Sequence, residues 1–169
     1  NINSMTIKET FELAVQNQKK GNYEVAKDLY NKILKIDYNH VDAYNNLGVI
    51  FKELGEYQKA IDCYEKSIEV QPSHTPSHNN LGLVFQELGE HQKAKSCYEK
   101  VIQINPNHVQ AHNNFGVVFR ELGENDKAKS CFEKAIEILP NYADAHSNLG
   151  SVFRELGEND KAKSCYEKA

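Results

Sequence analysis

The sequence predicts an all-α solenoid, and three observations carry that expectation. A short motif returns at a fixed interval: NNLG at 45–48 and 79–82, NNFG at 113–116 and SNLG at 147–150, each 34 residues after the last. Gly21, Gly55, Gly89, Gly123 and Gly157 keep the same interval, as do Ala26, Ala60, Ala94, Ala128 and Ala162. Between these columns each unit carries two apolar stripes at spacings of three and four, the period of a helix face. A 34-residue unit cannot bury both stripes alone, so its neighbours must cover them.

The repeats run roughly 7–40, 41–74, 75–108, 109–142 and 143–169, in a single array over residues 1–169. At the start, Thr6 with Glu9 three residues on reads as a capping box. In the second unit Ala43, Tyr44, Leu47, Gly48, Ile50, Phe51 and Leu54 form the first stripe. Gly55 then stops the helix, because glycine accepts the left-handed conformation beyond a last turn. The second helix starts near Tyr57 and carries Ala60, Ile61, Tyr64, Ser67 and Ile68 inward. Pro72, Pro106 and Pro140 lie beyond the second helices, which they cannot extend. Gly48 should cost about 1 kcal/mol against alanine inside a helix. Its recurrence argues that Gly48 and Ala60 let the paired helices approach, with Tyr64 filling the adjacent space. The aromatic column Tyr30, Tyr64, Tyr98, Phe132 and Tyr166 continues that packing. Residues 119–131 recur letter for letter at 153–165.

Taken together, Tyr44, Leu47, Gly48, Phe51, Ala60, Tyr64, Ser67 and Pro72 resemble the tetratricopeptide repeat. Leu81-Gly82, Phe115-Gly116 and Leu149-Gly150 carry the pattern onward. The match covers residues 7 to 169 and implies a right-handed α-solenoid of about five helix-turn-helix repeats. The family's usual tryptophan is replaced by Tyr44, His78, His112 or His146. The first unit departs further, with Leu13-Ala14, Asn17 and Tyr38 at signature positions, as suits a terminal repeat.

Composition narrows the function. The net charge is −4 with 26% charged residues, and no basic stripe is available to neutralise phosphates, so nucleic acid is not an expected partner. No apolar run approaches the length of a membrane span, and no signal-peptide pattern opens the chain. Met5 is the single methionine and Asn1 to Ser4 precede it, so the start reads as an internal cut or as an added remnant. Cys63, Cys97, Cys131 and Cys165 fill one repeat column. Stacked units hold equivalent residues about 10 Å apart or more, beyond the ~7 Å a disulfide tolerates. Four reduced thiols are expected, which favours a reducing, cytoplasmic compartment.

His74 with His78, and His108 with His112, have a spacing that could ligate zinc. Both are repeat columns, matched by His40 with Tyr44 and Tyr142 with His146, so they read as loop-edge and core-facing residues. No metal or other cofactor is expected. There is no nucleophile motif and no phosphate-cradling loop, so any catalysis would lie outside this segment. Glu65-Lys66 and its repeats read as solvated charge on an outer face.

The asparagines hold the functional hint. Asn46, Asn80, Asn114 and Asn148 lie off the apolar stripe, and with Asp42, Val49 and Glu53 they form a second stripe. The family resemblance places this stripe on the concave groove, with Asn45, Asn79, Asn113, Arg120 and Arg154 beside it. A carboxamide both donates and accepts, so a row of them could hold an extended peptide by its backbone, as in the similar asparagine ladder of O-GlcNAc transferases. The other readings of the row are recent duplication and, behind it, a structural cap or an interhelical bond. A carboxylate clamp is not expected, because Phe11, Asn45, Asn46, Gln110, Asn113 and Asn114 are uncharged. The expected function is therefore a protein–protein interaction module binding an extended segment in its groove. The alternatives are a substrate-selecting arm of a larger enzyme, such as an O-glycosyltransferase, and a self-assembling scaffold. The last repeat lacks a polar cap, so an apolar side near Val152, Phe153 and Leu156 is expected to be exposed and to promote self-association.

Overall fold

The computed structural model describes residues 4–169. Among them are ten α-helices and no strand. They divide into two compact units, one ending at Val84 and the other running from Phe85 to Ala169. The first unit holds α1 (Ile7–Lys19), α2 (Tyr23–Ile36), α3 (Val41–Glu53), α4 (Tyr57–Val70) and most of α5 (Thr75–Glu87). The second holds the end of α5, then α6 (His91–Ile104), α7 (Val109–Glu121), α8 (Asn125–Ile138), α9 (Ala143–Glu155) and α10 (Asn159–Lys168). The fold is an α-solenoid of helix pairs. No helix is long and apolar enough to cross a membrane.

Local chemistry sets the helix ends. Thr6 and Glu9 close the expected capping box, with Glu9 Oε2 accepting from Thr6 N at 2.8 Å and Thr6 Oγ1 from Glu9 N at 3.2 Å. Gly55 follows α3 at φ +74°, where any side chain would be strained. Gly48 serves a different purpose. A Cβ there would lie 2.5 Å from Cε1 of Tyr64, so the tyrosine ring packs directly on the bare backbone. Gly116 receives the Phe132 ring in the same way.

Two cores result. In the first unit Ala14, Ala26, Leu29, Tyr30, Ile33, Ala43, Leu47 and Ile50 are buried together. In the second, Phe119, Ala128, Phe132, Leu149, Val152, Phe153, Ala162 and Cys165 are buried together. Two expectations need correction. Leu54 is 41% exposed, because it caps α3 at the turn instead of continuing the stripe. Val152 and Phe153 lie inside the second core, so the exposed apolar groups near the last pair are Leu156 and Tyr166.

Candidate functional site

Three of the histidines expected at the loop edge cap first helices. His40 Nδ1 accepts from Ala43 N at 3.1 Å, His108 Nδ1 from Ala111 N at 3.1 Å, and His74 Nδ1 from Ser77 N at 3.4 Å. Tyr142 occupies the fourth such position and makes no side-chain cap. The core-facing histidines brace the preceding loops: Nε2 of His78, His112 and His146 donates to the carbonyls of Pro72, Pro106 and Pro140 at 2.9, 2.8 and 2.7 Å. Among the described residues no three His, Cys, Asp or Glu side chains gather as metal ligands. No disulfide joins the four cysteines. Burial, with the Asp62 charge adding, pushes the Cys63 thiol up to about 12, and burial pushes Cys131 up to about 11. Such thiols stay protonated near neutrality and are poor nucleophiles.

The asparagines form directed hydrogen-bond chains within each unit. In the first unit Asn80 Nδ2 donates to Asn45 Oδ1 at 3.1 Å, and Asn45 Nδ2 donates to Asn46 Oδ1 at 3.3 Å. Asn46 Nδ2 donates to the Tyr30 hydroxyl at 3.1 Å, which donates to Gln18 Oε1 at 2.8 Å. Burial raises the Tyr30 pKa, and the Asn46 bond partly offsets that rise. In the second unit Asn148 Nδ2 donates to Asn113 Oδ1 at 3.0 Å. Asn45, Asn79 and Asn113 are buried, whereas Asn46, Asn80, Asn114 and Asn148 are half-buried. Each half-buried carboxamide with one N–H engaged keeps a second N–H and oxygen lone pairs for other partners.

Other predicted residues gather unevenly. Asn46, Val49 and Glu53 come together with Val15, Gln18, Lys19 and Tyr23 around a depression of about 380 Å³ between the first helices of the first unit. Arg120 is half-buried near the end of α7. Arg154 is exposed and lines a different depression, with Asn159, Ala162 and Tyr166.

One polar network lies beyond the sequence reading. Ser77 Oγ donates to Ser67 Oγ at 2.7 Å, and Ser67 Oγ donates to Val41 O at 3.0 Å. His74 joins it, with Nδ1 2.8 Å from Ser77 Oγ and Nε2 3.2 Å from Asp42 Oδ1. The set has the members of a serine–histidine–aspartate triad, but both serines are fully buried, so no substrate can reach them. The network holds α3, α4 and α5 together. Its signal was present: Ser67 and Ser77 stand where other repeats carry Ile33, Val101 or Ala135 and Ala43, Ala111 or Ala145.

Lysines and phenylalanines form the remaining surface pattern. Lys27 and Lys59 approach the Phe51 ring at 5.8 and 5.4 Å, and Lys95 and Lys127 approach Phe119 at 4.9 and 5.4 Å. Glu56 pairs with Lys59 and Glu124 with Lys127, which lowers both carboxyl pKa values. These contacts fasten the starts of α4 and α8 to Phe51 of α3 and Phe119 of α7.

Comparison with known proteins agrees with this geometry. Tetratricopeptide repeat profiles match residues 8–40, 41–74, 75–141 and 111–169. No curated protein is significantly similar in sequence. Among solved structures, MamA superposes with a TM-score of 0.81 at 27% identity, over 92% of this chain and 91% of that one. PilF of Pseudomonas aeruginosa gives a TM-score of 0.89 at 23% identity, over 96% and 74%. YrrB, described as a tetratricopeptide repeat protein with an unusual peptide-binding site, gives 0.75 at 24% identity, over 96% and 84%. At their level of identity the last two speak for the fold alone. The chain belongs to the tetratricopeptide repeat family.

Proposed function

We propose that the chain is a protein–protein interaction module that holds an extended peptide segment on the face of its first helices. That face is the concave groove in this family, whose members typically mediate protein–protein contacts. The observation that carries the reading is a half-buried pair of carboxamides in each unit: Asn46 and Asn80 in the first, Asn114 and Asn148 in the second. Asn45, Asn79 and Asn113 are buried beneath it. Bonding to Asn45 and Asn113 orients Asn80 and Asn148, so these amides are set in place before a ligand arrives, which lowers the ordering cost of binding. A carboxamide pairs with a peptide unit whatever the peptide's side chains, so the row supplies affinity and its neighbours supply selectivity. Val49 and Glu53 in the first unit, and Arg120 and Arg154 in the second, are the selective neighbours on this reading. The fold and the carboxamide row make a catalytic role within these residues unnecessary.

The asparagine row also keeps open an arm that presents substrates to a larger enzyme, as the resemblance to O-GlcNAc transferases suggests. A glycosyltransferase domain elsewhere in the full-length chain would decide for it. A self-assembling scaffold is the remaining reading. Light scattering across a concentration series tests it, by mass rising above 19.3 kDa.

The direct test of the main reading replaces Asn80 and Asn114 together by alanine. Each carboxamide contributes roughly 0.5–1.5 kcal/mol net, so peptide affinity should fall about ten-fold or more with helicity retained. A double variant that binds peptide as well as wild type rules the reading out.

A further inference from the structure

The two units use equivalent residues differently, and the difference lies in how an exposed carboxylate is paired. In the second unit Glu121 is engaged: Gln86 Nε2 bridges both its carboxylate oxygens at 3.2 Å, and His91 Nδ1 lies 3.5 Å from Oε2. Gln86 Oε1 in turn accepts from the Tyr98 hydroxyl at 3.1 Å. The residues 68 positions earlier are Gln18, Tyr23, Tyr30 and Glu53. There the Tyr30–Gln18 bond is kept at 2.8 Å, but Gln18 does not close onto Glu53. Instead Gln18 and Glu53 flank the depression of about 380 Å³. Among the described residues the Glu53 carboxylate has no hydrogen bond and no ion pair, and nothing accepts from Gln18 Nε2.

The second unit therefore shows what this carboxylate takes when it is satisfied: a planar nitrogen group donating to both oxygens, with a second nitrogen beside it. A guanidinium offers that geometry with a full positive charge. The rest of the depression fits its stem and plane. Val15 and Val49 supply an apolar floor for three methylenes. The Tyr23 ring, where the second unit has His91, offers a face for the planar group. Lys19 stands at the rim where Glu87 stands in the second unit, and its exposed positive charge opposes a guanidinium in the cradle.

We propose that the cradle formed by Val15, Tyr23, Val49 and Glu53 is an arginine-selective subsite for the extended peptide. This rests on the peptide-holding reading above and adds the side-chain chemistry of the partner. Glu53 receives the guanidinium in a bidentate pair, and the asparagines hold the flanking backbone.

The test uses a phage-displayed library of random nonapeptides selected on the whole chain. Recovered peptides should carry arginine. Changing that arginine to citrulline, which keeps the shape and loses the charge, should weaken binding about ten-fold, as should Glu53→Gln, for a partly desolvated bidentate pair. Lys19→Glu should strengthen binding about two- to five-fold by removing a like charge. Glu121→Gln should leave affinity unchanged, because that carboxylate is already engaged. Peptides that bind without arginine, or an affinity indifferent to Glu53→Gln, overturn the arginine subsite and leave the peptide-holding face standing. Recovery of no peptide overturns both.

Discussion

The carboxamide of Asn80 donates to Oδ1 of Asn45 at 3.1 Å, across the boundary between one helix pair and the next. Asn148 makes the same bond to Asn113 at 3.0 Å. The paired asparagines of the repeat thus divide their work: the first is a buried acceptor that ties successive helices, and the second reaches back to it from the following repeat. Asn45 Oδ1 also lies 3.1 Å from Ser77 Oγ, as an alternative acceptor for the proton that Ser77 gives to Ser67, and Asn45 Nδ2 donates to Asn46, so its removal leaves several groups without a partner. Asn45→Ala is expected to destabilise the chain by about 1–3 kcal/mol, the cost of stranding buried polar groups. Asn148→Ala, at a half-buried donor, should cost about 0.5–1 kcal/mol. Urea denaturation followed by circular dichroism measures both.

The serine pair at the junction of the second and third helix pairs should be dispensable for stability. Ser67 and Ser77 bond to each other with both side chains fully buried, at the positions that Val101 and Ala111 hold, also fully buried, in the second unit. Replacing both partners of a buried hydrogen bond with apolar groups of similar shape is nearly neutral or stabilising. The double variant Ser67→Val with Ser77→Ala should therefore unfold within about 1 kcal/mol of wild type, or above it. Ser77→Ala alone should do worse than the double variant.

Gly48 and Gly55 should respond differently to alanine. At Gly48 the new methyl meets the buried Tyr64 ring at 2.5 Å, so overpacking should cost about 1–3 kcal/mol, against a helix-propensity gain of about 1. At Gly55 nothing lies within 4 Å, and the cost is backbone strain at φ +74°, about 1–2 kcal/mol. Trimming the ring separates the two mechanisms. Tyr64→Leu should reduce the penalty of Gly48→Ala in a double-mutant cycle and leave that of Gly55→Ala unchanged.

Acid should weaken the caps. Burial lowers the His108 pKa, with the nearby His112 adding to the effect, and Nδ1 accepts from Ala111 N. Protonation would remove that acceptor and place a positive charge at the positive end of α7. The folded-state pKa lies below the unfolded value of about 6.5, so the unfolded chain takes the proton more readily. This contribution to stability is complete above about pH 6.5 and is lost as pH falls through the folded-state value. Thermal melts should show a lower Tm at pH 5 than at pH 7.5. His108→Asn, a cap that does not titrate, should flatten part of that slope.

Much of the fold was legible because the repeat columns report backbone requirements. Gly55 and its column mates mark left-handed turns, Gly48 marks a ring contact, and Thr6 with Glu9 marks a helix start. The period could not say which members of a column are covered. Leu54 matches the spacing of the first stripe but sits on the turn, and Val152 and Phe153 are enclosed by the second helix of their own pair. Adjacent letters were harder still. Asn45 and Asn46 differ by about 100° around a helix, yet the first is buried while the second lines the depression. The serine network was hidden because its members come from three helices and break their columns. The open carboxylate of Glu53 was hard to see for a related reason: Glu121 has the same letter, and the placement of Gln18 and Gln86, with Tyr23 in place of His91, tells them apart.

The central claim is that the face of the first helices holds an extended peptide through its carboxamides. The most direct measurement is backbone and side-chain amide NMR of the labelled chain, titrated with a peptide selected on it. The account predicts that the Asn46, Asn80, Asn114 and Asn148 side-chain amides shift, together with Val49 and Glu53, while resonances of the outer second helices stay still. Shifts confined to the second helices, or to the neighbourhood of Leu156 and Tyr166, would contradict it.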